Sequence, residues 1–117
     1  FRETYEEIGI PKSRIDVIGQ LDDYITGTGF HIETYVGIIK KNTLFRVNNE
    51  EVSELILLPI EVLQNKTNII WTSKKFGNKS YNFWKIKFLN YNIWGATASI
   101  LANLSVKVWD TKLQRAL

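Results

Sequence analysis

The first ten residues, Phe-Arg-Glu-Thr-Tyr-Glu-Glu-Ile-Gly-Ile, constrain this chain more than any other stretch. Wound as a helix, they put Glu3, Glu6 and Glu7 at i, i+3 and i+4, which is one face. Phe1, Tyr5 and Ile8 fall at i, i+4 and i+7 on a second, apolar face that is expected to pack inward. Gly9 supplies a C-terminal stop, and Pro11 follows where a helix does not continue. Like charges this close destabilise a helix unless something positive sits among them. Three gathered carboxylates are also hard oxygen ligands of the kind that Mg²⁺ or Mn²⁺ accepts.

The run Arg2-Glu3-x-x-Glu6-Glu7-x-Gly9-Ile10 resembles the second half of the Nudix box, G-x5-E-x7-R-E-U-x-E-E-x-G-U. A solvated acidic helix would carry the same glutamates. The full match, with Gly9 and Ile10 in their places, favours the Nudix reading. Thr4 stands where the family has an aliphatic residue. The leading glycine and early glutamate of the box are not in the chain. The chain also holds no methionine. On both grounds it is expected to be a single, partial Nudix-type domain over residues 1–117, beginning inside the motif.

Composition narrows the class. A chain of 117 residues holds one domain with a real core. Hydrophobic residues at 44% and aromatics at 13% are those of a globular protein, not a disordered one. The absence of cysteine removes disulfides and thiolate metal sites and suits the cytoplasm. No run is long enough for a membrane-spanning helix, so no membrane partner is expected. The net charge is +3, but the basic residues are scattered in the sequence apart from Lys40-Lys41 and Lys74-Lys75. With no basic stripe interleaved with aromatics along the chain, nucleic acid is not an expected partner.

Patterning gives the elements. A strand is expected over Ile15 to Leu21, then a loop over Asp22 to Phe30, then one central strand over His31 to Ile39. The loop aspartates Asp22 and Asp23 and the lone His31 read as solvated and structural groups. Asn42 to Asn49 is a polar connection. Leu55 to Leu58 reads as a buried strand, and Pro59 opens a short helix through Gln64. Ile69 to Thr72 and Tyr81 to Phe88 are strands around a Gly77-Asn78 turn, with Trp84, Ile86 and Phe88 sharing a face. A brief strand over Tyr91 to Ile93 leads to a helix over Gly95 to Val108. Its expected apolar stripe is Ile100, Leu101, Leu104 and Val108.

Two further stretches resemble the bacterial coenzyme A pyrophosphatases of the Nudix superfamily. Leu21 to Phe30 is similar to the segment after their box, and Ile93-Trp94-Gly95-Ala96-Thr97-Ala98-x-Ile100-Leu101 to the start of their C-terminal helix. Glu51-Val52-x-Glu54, followed by an apolar run and Pro59, also fits. A proline expected after Phe30 is replaced by Thr34-Tyr35. The resemblance implies an α/β (α+β) fold: the Nudix α/β/α sandwich with a mixed sheet, here lacking its N-terminal strands. It implies Mg²⁺- or Mn²⁺-dependent hydrolysis of the coenzyme A pyrophosphate to 3′,5′-ADP and 4′-phosphopantetheine. Glu6 and Glu7 would hold the metal. Glu3 would share it or orient the attacking water, and Arg2 would hold the glutamates by an ion pair. Glu51 or Glu54, with Glu50 behind them, would supply a further acid. Competing readings are an inactive remnant of such an enzyme and a Nudix hydrolase of another nucleoside diphosphate derivative. Trp94 and Thr97 read as packing or capping residues.

Overall fold

Two β-rich runs joined by Gly77-Asn78 form an eight-pair antiparallel ladder, β5 (Ile69–Phe76) against β6 (Lys79–Phe88), in register from Ile69↔Ile86 to Phe76↔Lys79. Gly77 sits at φ +63, the positive φ that a tight hairpin turn demands of its first central residue. The computed structural model describes residues 2–50, 52 and 54–113; the side chains of Arg2 and Glu3 lie outside that description. The other elements are α1 (Arg2–Ile8), β1 (Ile15–Gln20), β2 (Tyr24–Ile25), β3 (His31–Ile32), β4 (Tyr35–Ile39), α2 (Ile60–Gln64), β7 (Tyr91–Ile93) and α3 (Gly95–Trp109). Single 3₁₀ turns lie at Lys12–Arg14 and Lys66–Asn68. This is an α+β chain, the class the sequence implies. It divides into two units, residues 1–20 with 35–57 and residues 21–34 with 58–117.

The second unit holds the main core. Trp84 and Ile86 on one face of β6 are buried with Ile69, Leu63 of α2, and Ala98 and Ala102 of α3. Trp71 and Trp84 are directly opposed in the ladder, with ring centroids 4.9 Å apart in an edge-on contact. The buried line of α3 is Ala98, Ala102 and Ser105, at i, i+4 and i+7. The expected stripe needs correction: Leu101 and Leu104 pack against the core, but Val108 is 56% exposed. Small side chains let the helix lie close to the sheet, so its inward face is not its most hydrophobic one. Ser105 is fully buried; its Oγ donates to the Leu63 carbonyl at the end of α2 and lies 2.7 Å from Thr111 Oγ1. Asp110, at φ 52, then closes the helix with a left-handed cap.

Three other expectations change. His31 to Ile39 is two strands, not one central strand. β3 pairs with β2 in a small hairpin (Tyr24↔Ile32), so the Asp22 to Phe30 stretch is partly strand, while β4 pairs with β1 (Ile15↔Ile39 to Gln20↔Tyr35). Between them Leu21 N donates to the Thr34 carbonyl. Each half finds its own partner, which one continuous strand could not satisfy. β1 carries a register shift between Val17 and Gly19, which breaks the alternation that would put Ile15, Val17, Gly19 and Leu21 on one face. Leu55 to Leu58 is irregular, not a strand, and Leu57 is 67% exposed. An apolar run without periodicity specifies no partner strand, and Pro59 removes the next donor.

Candidate functional site

The first unit builds its site from α1 outward. The helix ends as expected: Gly9 N donates to the Tyr5 carbonyl at 2.9 Å, and Gly9 takes φ +73. The carbonyls of the last turn have no partner inside a helix. Here the 42–49 connection supplies them. Arg46 N donates to the Ile8 carbonyl at 2.7 Å and Asn48 N to the Glu7 carbonyl at 2.8 Å. Gly9 is needed twice over. A side chain would be strained by its φ, and a Cβ there would lie 2.7 Å from Arg46 Cβ and 3.1 Å from the Arg46 carbonyl oxygen.

Glu6 and Glu7 are exposed in the last turn of α1, and that turn carries no basic residue. Glu6 lines an open groove of about 880 Å³ with Tyr5, Gly9 and the Leu44 to Asn49 connection, including the exposed Arg46. Tyr5 is 57% exposed and Ile8 partly so, which corrects the expectation that this face packs inward; Phe1 lies outside the described residues. The buried apolar anchor of the segment is Ile10, beyond the helix. The glycine stop turns the chain and delivers Ile10, not Tyr5, to the interior.

Beyond Asn48 the chain turns again. Val52 N donates to the Asn48 carbonyl at 2.8 Å, and the Asn48 side chain accepts from Glu50 N at 3.1 Å. The acid-bearing segment therefore begins at a residue bonded to the backbone of Glu7. Glu50 and Glu54 are exposed. Glu51 lies outside the described residues, as do the side chains of Arg2 and Glu3. Among the described residues no three Asp, Glu, His or Cys side chains form a metal-holding group. Glu6, on the open groove, and Glu7, exposed beside it in the chain, nonetheless offer the hard oxygen donors that Mg²⁺ or Mn²⁺ takes, so the donor chemistry fits.

Sequence reasoning missed Arg46 and Asn48. Their role lies in backbone hydrogen bonds to a helix some forty residues earlier, and no local pattern announces such a pairing. The aspartates of the second unit are engaged. Asn103 Nδ2 donates to Asp22 Oδ2 at 3.1 Å, Lys107 Nζ lies 3.3 Å from Asp22 Oδ1, and His31 Nε2 is 2.7 Å from Asp23 Oδ2. Asp22 N also donates to Asn103 Oδ1 at 3.2 Å, so the loop is clipped to α3 from both sides. Trp94 precedes α3, is exposed, and packs its ring 6.2 Å from that of Phe83.

Comparison with known proteins points the same way as α1. The chain is similar to Nudix hydrolases. It is 31% identical over 107 residues, 92% of its own length, to an uncharacterized Nudix hydrolase NudL of Yersinia enterocolitica. It is 34% identical over 108 residues to the proteins of that name in Salmonella paratyphi B and Salmonella newport. The chain spans about half the length of these relatives, 55% and 56%. No protein-family model matches it. No helix among the described residues is long and apolar enough to cross a membrane.

Proposed function

We propose that this chain is part of a Nudix hydrolase that cleaves the pyrophosphate bond of coenzyme A, giving 3′,5′-ADP and 4′-phosphopantetheine. One observation carries the metal assignment. Glu6 and Glu7 are neighbouring, exposed acids in the last turn of a helix that has no basic residue there. That end of a helix bears the negative pole of its dipole, so each carboxylate there costs roughly 0.3–1 kcal/mol. Two neighbouring carboxylates at that pole would favour a bound cation.

Glu6 and Glu7 would hold Mg²⁺ or Mn²⁺, with Glu3 one turn earlier sharing the site or orienting the attacking water. The cation would neutralise the pyrophosphate charge and make water a better nucleophile. Arg2, four residues before Glu6, would hold the glutamates in place. The backbone bonds from Arg46 and Asn48 would hold the end of α1 against the connection, and Glu51 or Glu54 just beyond it would supply a further acid. Arg46, exposed on the groove wall, would meet the anionic substrate.

The coenzyme A assignment is supported by the Leu21 to Phe30 and Ile93 to Leu101 stretches, and the name shared by the relatives supports the hydrolase class. The test is hydrolysis by the full-length protein of coenzyme A, ADP-ribose and dinucleotides, with Mg²⁺ and with Mn²⁺. Coenzyme A is the expected preferred substrate. Preference for ADP-ribose or a dinucleotide would leave the Nudix chemistry standing and overturn the coenzyme A reading.

A further inference from the structure

The second unit carries a surface that the metal assignment on α1 does not use. Between Glu61 and Asp110 the sequence holds seven lysines and no Asp or Glu. The β5–β6 ladder sorts them. Directly opposed residues share a face, and alternate residues along a strand share a face. Trp71, Trp84 and Ile86 lie on the core side, so Lys74 of β5 and Lys79, Lys85 and Lys87 of β6 all lie on the other. Among the described residues none of these four forms an ion pair.

Aromatic rings stand between them. Phe76 opposes Lys79, and Tyr81 opposes Lys74. The two rings are 5.6 Å apart, about half exposed, and Lys74 Nζ lies 5.4 Å from the Phe76 ring centre. Further along the same face Phe83 meets Trp94, which is 64% exposed. Four of the seven lysines are therefore one stripe, while Lys75, opposite Ser80, falls on the other face of the ladder. Along β6 it runs from Lys79 to Lys87, about 27 Å at the usual rise of a strand.

We propose that this face of the β5–β6 sheet binds single-stranded nucleic acid. Four lysines with no ion pair among the described residues match a chain of phosphates, and the row of rings offers π-faces to successive bases. An anionic membrane would engage the hairpin tip at Phe76, but it gives no reason for rings continuing along the face to Trp94. The proposal uses none of the α1 glutamates and shares only Trp94 with the Ile93 to Leu101 stretch that supports the coenzyme A reading, so either can fail without the other.

The test is fluorescence anisotropy of a labelled oligothymidylate with the full-length protein. With four phosphates contacted, affinity should fall roughly 50-fold between 50 and 200 mM salt. Phe76→Ala and Tyr81→Ala should each weaken binding about fivefold or more, as loss of a stacked base does. Lys79→Gln/Lys87→Gln should weaken it and flatten the salt dependence. Lys40→Gln/Lys41→Gln, the same charge loss in the first unit, should change little. All of these positions are exposed, and circular dichroism with thermal unfolding confirms that each variant is folded. No measurable binding overturns the proposal. So does binding that ignores the aromatic substitutions and is matched by heparin or by phosphatidylserine vesicles, which would make the stripe a general polyanion surface.

Discussion

Replacing Gly9 by alanine isolates what ties α1 to the connection that follows it. Two costs arise. At φ +73 an L-residue is strained by roughly 1–2 kcal/mol. The new Cβ also meets Arg46 Cβ at 2.7 Å, so the connection must retreat. Retreat weakens Arg46 N to Ile8 O and Asn48 N to Glu7 O, now 2.7 and 2.8 Å, each worth about 1 kcal/mol net. Together these predict a loss of about 3 kcal/mol. Gly77 is the control: its φ is +63, but nothing lies within 4 Å of a Cβ there. Gly77→Ala should cost only the strain, about 1 kcal/mol. Asparagine separates the two effects, because it tolerates the left-handed region yet still carries a Cβ. Gly77→Asn should be close to neutral, and Gly9→Asn nearly as damaging as Gly9→Ala. Urea unfolding gives the free energies, and hydrogen exchange at the Arg46 and Asn48 amides shows whether the connection has opened. Recovery of wild-type stability and protection by Gly9→Asn would refute the close-approach argument.

Two further substitutions test the core of the second unit. Trp84→Ala removes a buried ring paired with Trp71 and should cost about 3–5 kcal/mol in denaturant unfolding. Ser105→Ala leaves the Leu63 carbonyl without its hydroxyl donor and should cost roughly 1–3 kcal/mol. If Ser105 were there only for its size, the alanine variant would match the wild type in the same measurement.

What the sequence made legible followed from strong local signals. The α1 helix ends at a glycine because Gly-x-Pro punctuation leaves little choice. The β5–β6 hairpin follows from two alternating runs about a Gly-Asn turn. What stayed hidden depended on partners far away in sequence. His31 to Ile39 reads as one strand until β1 and β2 compete for its two halves. The inward face of α3 is its line of small residues, and hydrophobicity alone picks the larger ones. Glu6 and Glu7 were visible as candidate ligands from spacing alone. The Arg46 and Asn48 bonds that fix their helix were not, because backbone groups leave no mark on residue type. Lysine order likewise conceals the β6 stripe, since a strand of period two gathers residues that the sequence interleaves with others.

The metal-dependent hydrolysis proposed for α1 is tested most directly by Glu6→Gln in the full-length protein. The substitution keeps shape and removes charge at an exposed position, so stability should shift by no more than about 1 kcal/mol and the protein stay folded. Activity against coenzyme A at saturating Mg²⁺ should fall by at least about 100-fold, since even residues that only support a metal's ligands typically cost 10–100-fold. A folded Glu6→Gln protein that hydrolyses coenzyme A at the wild-type rate would contradict the assignment of this helix as the metal site.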